Sequence, residues 1–307
     1  MKGVDGLQYR EAMEELAHCL PRNVGRVLIQ QPEGSVREIR IRAGQKTAVH
    51  TSEGVRKCMG EPAPHQVQQI AEALCEHALY ARAEEQRSGF VTLRGGHRMG
   101  LCGRVLLQGQ SVRALREISS LCIRVAGQWR GAADRLMPHL TDANGRVNSL
   151  LIIGLPGTGK TTMLRDACRR LSEMGCRVGV VDERSEIAAM SGGEAQMDVG
   201  PNTDVLDGCC KEAGLRWMLR AMCPDVLVTD ELGGACDAQA VMEAVNAGVS
   251  VISTLHGRDI QKAAGRGTLA HLVQNRAFDR YVLLTEDAVG CVGTVYDEQL
   301  RQMESTF

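Results

Sequence analysis

The fold of this chain is decided by the stretch GLPGTGKT at residues 154–161, which matches the P-loop pattern G-x-x-x-x-G-K-[ST]. An apolar run, residues 150–153, precedes this stretch, and helix-forming residues 163–165 follow it. A strand, a glycine-rich loop and a helix in this order are the context that the motif requires. Glycines let backbone N–H groups converge on a phosphate, and the N-terminus of the helix adds the positive end of its dipole. The sequence therefore predicts a nucleoside triphosphate site.

Lys160 is predicted to reach the β- and γ-phosphates of ATP, and the hydroxyl of Thr161 is predicted to ligate Mg²⁺. The alternative is a glycine-rich turn that matches the pattern by chance, and the flanking strand and helix weigh against it. The predicted nucleotide-binding residues are Gly154, Leu155, Pro156, Gly157, Thr158, Gly159, Lys160, Thr161 and Thr162.

Length and composition restrict the class of protein. The 307 residues suggest two domains, and the apolar content of 44% is enough for a core in each. The formal net charge of -1 gives no electrostatic argument for nucleic-acid binding. The 12 cysteines are scattered without a C-x-x-C pair, and no stretch resembles a signal peptide or a membrane span. We therefore expect reduced thiols in a cytoplasmic protein.

The adjacent residues Cys209 and Cys210 allow two interpretations. They form a redox-active pair, or they are small buried side chains. The second interpretation is favoured, because free cysteine is among the most buried residue types.

The first 125 residues alternate between helical and strand patterns, which predicts an α+β domain. The predicted helices are residues 8–20 and 65–85. The predicted strands are residues 36–42, 47–50, 55–58, 90–93, 99–107 and 118–125. Residues 126–148 are predicted to form a connector.

Residues 149–307 are predicted to form a P-loop domain of the α/β class. Its predicted strands are residues 150–153, 178–181, 226–228, 250–254, 281–284 and 291–296. Helical segments separate the first four, which favours parallel βα units in an open sheet. In such a sheet the P-loop lies at the carboxyl edge of the strands.

Two acids, Asp230 and Glu231, follow the buried strand pattern at residues 226–229. A hydrophobic strand that ends in acids is the Walker B pattern of P-loop ATPases. In this interpretation Asp230 holds Mg²⁺, directly or through a water molecule, and Glu231 polarises the attacking water as a general base. Two acids at a strand end are common on any protein surface, and their spacing from the P-loop favours the functional interpretation.

Other polar residues follow the strands at residues 178–181 and 250–254. Asp182 and Glu183 are candidates for ordering the attacking water or for a second shell around Mg²⁺, and the alternative is a solvated loop. His256 is a candidate for sensing the γ-phosphate or for donating a hydrogen bond to its developing charge. The alternative for His256 is a structural role.

Phosphoryl transfer is often accelerated by an arginine that reaches the γ-phosphate, in some cases from a neighbouring subunit. The sequence does not decide which arginine has this role. The candidates are Arg94, Arg98, Arg104, Arg116, Arg124, Arg184, Arg216, Arg220 and Arg258.

Together, the P-loop, the acidic stretch at residues 182–186, the Walker B pattern and the T-L-H at residues 254–256 resemble the motifs of secretion-superfamily ATPases. More specifically, three stretches resemble the sporulation stage III protein AA family. They are VVDERSEI (residues 180–187), DVGPNTDVLDGC (residues 198–209) and GFVTLRGGHRMGLCGR (residues 89–104).

The resemblance implies a RecA-like ATPase domain that uses ATP and Mg²⁺ and assembles as a homo-hexamer. It implies a cytoplasmic protein of the mother cell that reaches the membrane through membrane-embedded partners of a sporulation channel. Carried over, Lys160 and Thr161 match the Walker A motif, and Asp182 and Glu183 match the Asp box. Asp230 with Glu231 matches the Walker B motif, and His256 matches the His box.

The sequence departs from the secretion motors at three places. The Asp box reads DERSE, Thr-Asp precedes Glu231 where those motors often have Gly, and the C-terminal region is shorter. The water-positioning role is therefore left open between Glu183 and Glu231.

Two other functions are alternatives to an oligomeric ATPase. The first is a nucleotide-dependent protein associated with nucleic acid, which should carry a basic tail, and the balanced charge of this chain argues against it. The second is a pseudo-ATPase that scaffolds a complex. The intact lysine, threonine and acid pair argue against that function.

Overall fold

A computed structural model describes residues 6–76, 89–109, 111–261 and 267–303, and it divides the chain into two compact units. The N-terminal unit contains the described residues up to Gln128 together with the segment Ala189–Met197. The P-loop unit contains Trp129–Ala188 and the described residues from Asp198 onward. The chain therefore leaves the P-loop unit after Ala188 and returns to it at Asp198.

The described residues form both helices and strands in each half of the chain. The strands are β1 (Val36–Arg42), β2 (Gln45–Thr51), β3 (Gly54–Lys57), β4 (Phe90–Thr92), β5 (Arg98–Gln108), β6 (Ser111–Arg124), β7 (Leu150–Gly154), β8 (Val178–Asp182), β9 (Met190–Ser191), β10 (Glu194–Ala195), β11 (Thr203–Asp207), β12 (Val226–Thr229), β13 (Ser250–His256), β14 (Arg280–Leu284) and β15 (Val292–Asp297). The helices are α1 (Gly6–His18), α2 (Arg22–Ile29), α3 (Pro64–Leu74), α4 (Met137–Leu140), α5 (Lys160–Glu173), α6 (Lys211–Ala221), α7 (Ala235–Asn246) and α8 (Gly267–Gln274).

The P-loop unit is built on one sheet in the order β11-β8-β12-β13-β7-β14-β15. The pairs from β11 to β14 are parallel, and β15 alone runs antiparallel to its neighbour β14. Every residue of β7 and β8 is buried, as expected for parallel strands covered on both faces. The predicted RecA-like α/β fold with a mainly parallel sheet is confirmed.

One strand of this sheet, β11, was not predicted from the sequence. Its residues read TDVLD and are half-buried or exposed, and it lies at the sheet edge beside β8. A short edge strand with acids at two of its five positions lacks the apolar run that marks the buried strands.

The N-terminal unit is an antiparallel sheet in the order β3-β2-β1-β6-β5-β4, packed with α1, α2 and α3. The predicted strands are all present, and β6 begins earlier than predicted, at Ser111. Helix α2 was missed, because it is short and contains Gly25, which has a low helix propensity. The predicted helix over residues 65–85 includes α3, and its part from residue 77 onward lies outside the described residues.

A segment distant in sequence completes the N-terminal unit. Residues 189–197 contribute the short hairpin of β9 and β10. The side-chain oxygen of Gln196 accepts a hydrogen bond from the backbone N–H of Gly95 at 3.0 Å. Gly95 has φ +72°, a left-handed conformation that glycine adopts without steric cost.

Residues 129–148, for which a connector was predicted, lie in the P-loop unit. The backbone N–H of Ala133 donates to the buried carboxylate of Asp166 in α5 at 2.9 Å. Among the described helices, none combines the length and the apolar character that a bilayer span requires.

Replacing Gly25 with alanine tests the close packing of α1 and α2. A Cβ atom at this position would lie 2.7 Å from the backbone oxygen of Ala17. Glycine to alanine inside a helix normally stabilises by about 0.5–1 kcal/mol. Here we expect Gly25→Ala to lower the free energy of unfolding by about 1–3 kcal/mol in urea, because the helices must separate. The exposed neighbour Arg26 supplies the control, and Arg26→Ala should change stability by less than about 0.5 kcal/mol. A Gly25→Ala protein more stable than the parent would contradict this packing.

Candidate functional site

The P-loop connects β7 to α5, and Lys160 is the first residue of that helix. The ammonium of Lys160 donates hydrogen bonds to the carbonyl oxygens of Gly154 and Leu155, both at 2.9 Å. Burial lowers the pKa of Lys160, and the nearby charge of Glu231 opposes that effect. Two carbonyl groups thus hold the ammonium of Lys160 against its own loop. Because these groups are uncharged, the positive charge of Lys160 remains available to bind an anion.

Gly159 stands before Lys160 with φ +93°, in the left-handed region that favours glycine. A Cβ atom there would lie 3.1 Å from the backbone nitrogen of Gly290 and 3.2 Å from Val289. The N–H of Gly290 also donates to the carbonyl oxygen of Thr158 at 2.8 Å. The turn before β15 therefore covers one side of the loop, a neighbour that the sequence did not reveal.

The strand register brings the predicted site residues to one edge of the sheet. His256, the last residue of β13, is paired with Gly154 at the end of β7. Thr229 ends β12 beside Val181 of β8, so Asp230 and Asp182 both follow at the same edge. His256 is exposed there. Because parallel strands end together, the lysine, the acids and the histidine share the carboxyl edge, as the sequence predicted.

Asp182 is fully buried, and both of its carboxylate oxygens accept hydrogen bonds from the backbone. Oδ1 accepts from the N–H of Glu186 at 2.8 Å, and Oδ2 accepts from Ile187 at 2.9 Å and Ala188 at 2.8 Å. Burial raises the pKa of Asp182, although the three N–H donors favour the charged form. Through these bonds Asp182 shapes the loop after β8. Both of its oxygens are engaged by backbone N–H groups, so neither is positioned to order a water molecule.

Arg165 of helix α5 holds the same loop by its carbonyl groups. Its Nε donates to the oxygen of Ile187 and its Nη2 donates to the oxygen of Glu186, both at 2.6 Å. The P-loop helix and the loop after β8 are therefore joined through polar contacts. No sequence motif indicates this contact, which joins residues about twenty positions apart.

Asp230 is 4% exposed, and its Oδ1 atom has no hydrogen-bond partner among the described residues. Burial raises the pKa of Asp230 to about 6. The charge of Lys211 opposes this shift, and the charges of Asp182, Glu186 and Glu231 add to it. A buried carboxylate oxygen without a donor is costly in a folded protein and calls for an explanation. A cation ligated at this position would supply one.

The two candidates for positioning water have different surroundings. Glu231 is exposed, and its φ of +27° is unusual for a residue with a side chain. Its backbone N–H donates to the hydroxyl of the buried residue Thr254 at 2.8 Å. By contrast, the carboxylate of Glu183 accepts a hydrogen bond from the ammonium of Lys211. Glu231 is thus fixed by its backbone with its side chain outward, whereas Glu183 is engaged by a cation.

Lys211 is a residue of this site that the sequence analysis did not find. It begins α6, it is 6% exposed, and its ammonium also lies 3.8 Å from Oδ1 of Asp230. The sequence feature that could have identified Lys211 is its place at the start of a helix, where a lysine is electrostatically unfavourable.

The two residues before Lys211 differ from what the sequence predicted, since Cys210 is exposed and Cys209 is half-buried. The prediction that both are buried was wrong, because they lie in the turn between β11 and α6.

Several candidate arginines already have partners. Arg216 forms ion pairs with Glu212 at 2.5 Å and with Glu243 at 2.7 Å. Arg258 pairs with Glu286 at 3.2 Å on the surface. Other candidates make contacts within the N-terminal unit: Arg94 with Glu15, Arg104 with Glu117, and Arg98 over the ring of Phe90. Arg184 is exposed directly after Glu183.

Residues 10–303 match the family model described as sporulation stage III, protein AA. The chain belongs to this family. It is 40% identical over 303 residues to the stage III sporulation protein AA of Bacillus subtilis (strain 168). The alignment covers 93% of this chain and 95% of the relative.

Two solved structures share the fold of this family member. The ATPase DotB of Legionella pneumophila matches with a TM-score of 0.53 and 15% identity, over 81% of this chain and 72% of DotB. The pilus retraction motor PilT with bound ADP matches with a TM-score of 0.55 and 17% identity, over 81% of this chain and 74% of PilT. At these identities the likeness establishes that this chain shares its fold with DotB and PilT.

The burial of Asp230 leads to a prediction about stability in the absence of nucleotide and metal. Because its folded-state pKa of about 6 lies above the ordinary 3.8, the folded protein binds an extra proton between these values. Stability therefore falls as pH rises through that window, and the loss persists above it. We expect Asp230→Asn to raise the free energy of unfolding by about 1–3 kcal/mol at pH 7.5, with the gain vanishing near pH 4.

Urea unfolding at the two pH values measures this effect. Asp204→Asn, on the exposed part of β11, is the matched control and should show no gain at either pH. An Asp230→Asn protein that is no more stable than the parent at pH 7.5 would show that burying the charged carboxylate does not lower the free energy of unfolding.

Proposed function

We propose that this protein is a Mg²⁺-dependent ATPase that hydrolyses ATP to ADP and phosphate. The observation that carries the proposal is the convergence of Lys160, Asp230 and Glu231 at one sheet edge, where no described residue donates a hydrogen bond to a buried oxygen of Asp230. A fold shared with the ATPases DotB and PilT supports hydrolysis over binding alone.

The residues present fit a magnesium ion bound with the phosphates. Mg²⁺ takes oxygen ligands and in phosphate sites needs only one or two protein groups, so Thr161 and Asp230 suffice. Asp230 is assigned as a ligand because no described residue donates a hydrogen bond to its buried Oδ1 atom. When bound, Mg²⁺ would neutralise charge on the β- and γ-phosphates.

Glu231 is the proposed general base, and this choice rests on the surroundings of the two glutamates. The side chain of Glu231 is exposed at the edge and close enough to Lys160 for their charges to interact. The carboxylate of Glu183 is held by Lys211 and would have to leave that partner to act on water. His256, next to Gly154, is proposed to donate a hydrogen bond to the transferring phosphoryl group.

Glutamine variants of the two glutamates test this assignment. We expect Glu231→Gln to bind ATP within about threefold of the parent and to lower turnover at least ~100-fold, because amide oxygens are poor bases. Glu183→Gln should lower turnover less, since it leaves the proposed base in place. Turnover is measured as phosphate release, and binding as the anisotropy of a fluorescent ATP analogue.

Lys160→Ala serves as the reference for a protein without a nucleotide site and should abolish ATP binding. It should not unfold the protein, because the half-buried side chain of Lys160 donates to carbonyl groups of its own loop. Normal turnover in that variant would refute the nucleotide site. Parent-level turnover in Glu231→Gln with a large loss in Glu183→Gln would transfer the role of base to Glu183.

The family match and the secretion-type fold support a wider proposal about assembly. We propose that the protein works as a homo-hexamer in the cytoplasm of the mother cell, at the membrane through membrane-embedded partners of a sporulation channel. ATP hydrolysis would then drive assembly of that channel or transport through it. The arginine that completes the site, from the same or a neighbouring subunit, is not assigned.

Assembly predicts that specific ATPase activity depends on protein concentration. If neighbouring subunits share each site, activity per subunit should rise with concentration and reach a plateau as association completes. Phosphate release is measured over a ~100-fold concentration range beside light-scattering mass, with and without ATP. Constant specific activity from a particle of about 33 kDa would indicate that a monomer is sufficient.

A further inference from the structure

Lys211 occupies a position that is unfavourable for a cation in two ways. It is 6% exposed, and lysine is almost never fully buried unless it is paired. It is also the first residue of α6, where the positive end of the helix dipole repels an ammonium. Carboxylates from other elements must therefore compensate for the charge of Lys211.

Two carboxylates supply that compensation. The ammonium donates to Oε2 of Glu183, which follows β8, and lies 3.8 Å from Oδ1 of Asp230, which follows β12. The side chain of Glu183 is 37% exposed, whereas that of Asp230 is 5% exposed. One buried ammonium thus joins the starting point of α6 to the ends of two neighbouring strands.

We propose that Lys211 is a positioning residue whose fixed charge, together with that of Glu183, sets the affinity of the site for a divalent cation. This inference rests on the proposed function, because it takes Asp230 as the metal ligand. Lys211 and Glu183 form a nearly neutral pair beside Asp230, so the site has less negative charge than its acids alone would give. The metal then binds strongly only when the phosphates of the nucleotide add their own charge.

The two members of the pair should have opposite effects when they are neutralised. Lys211→Met removes a positive charge near the metal ligand, so a divalent cation should bind more tightly. Glu183→Gln leaves the ammonium uncompensated near Asp230, so the cation should bind less tightly. For a divalent cation about 6 Å from the altered charge, with screening close to that of bulk water (a dielectric constant of about 80), each change should be on the order of tenfold.

A purely structural ion pair would behave differently. Breaking it from either side would lower the melting temperature and loosen the site, so both variants would shift metal affinity in the same direction. Opposite shifts are therefore the signature of an electrostatic role. Methionine is close to lysine in volume, and apolar replacement of buried ion-pair members is often tolerated.

The experiment measures Mn²⁺ binding to the full chain by the EPR signal of free Mn²⁺ at pH 8.5, with and without ADP. Thermal unfolding of each variant is recorded in parallel. We expect Lys211→Met to bind Mn²⁺ about tenfold more tightly, Glu183→Gln about tenfold more weakly, and the double variant within about threefold of the parent. Lys57→Met, on the exposed strand β3, is the matched control and should leave binding unchanged.

Shifts in the same direction, or no shift in either variant, would overturn the inference. If Lys211→Met does not fold, Glu183→Gln decides the question through its two readouts: an electrostatic role predicts weaker Mn²⁺ binding at an unchanged melting temperature, whereas a loosened site would lose both, and that second outcome would overturn the inference. If the parent hydrolyses ATP but the variants do not show these shifts, only the role of Lys211 is refuted and the proposed function stands. A parent that binds neither ADP nor Mn²⁺ with ADP refutes the proposed function, and the role of Lys211 falls with it.

Discussion

Repulsion between carboxylates at one edge of a parallel sheet is the constraint on which this site depends. Parallel strands end together, so acids that follow neighbouring strands are brought close whether or not their charges are offset. The structure offsets them in different ways. Asp182 is satisfied by three backbone N–H groups, and Glu183 is satisfied by the ammonium of Lys211. Of these three acids, only Asp230 keeps a buried oxygen to which no described residue donates a hydrogen bond, and this difference separates a structural acid from a candidate metal ligand.

The sequence was sufficient for the features that depend on short stretches of chain. The P-loop is contiguous, and the buried strands β7, β8 and β12 are apolar runs. Their order along the chain was therefore enough to predict the sheet edge at which the candidate site residues lie. The short edge strand β11 and the helix α2 lack such patterns, the first because it is half-exposed and the second because Gly25 weakens the helical signal. Roles within the acidic group depended on partners distant in sequence. Lys211 is 28 positions from Glu183, and no periodicity connects them.

The loop after β8 lies in the P-loop unit and is held by hydrogen bonds to both its N–H groups and its carbonyl groups. Asp182 holds the N–H groups of residues 186–188, and Arg165 holds the carbonyl groups of Glu186 and Ile187. The next residue along the chain after Ala188 already belongs to the N-terminal unit. Arg165 lies little more than one helical turn after Lys160, so one side chain connects the P-loop helix to the loop after β8.

The distance between Lys211 and Asp230 reconciles two opposing requirements. A direct hydrogen bond to Oδ1 would satisfy the buried carboxylate and stabilise the fold, but it would occupy the lone pairs that a metal needs. With no cation nearby, the carboxylate would stand buried among Asp182, Glu186 and Glu231, whose charges disfavour its ionised form. At 3.8 Å the ammonium is close enough to offset this repulsion and too far to form a hydrogen bond. The carboxylate proposed as the metal ligand thus has a cation nearby and an oxygen to which no described residue donates a hydrogen bond, and the lower stability that such a buried oxygen brings is typical of functional sites.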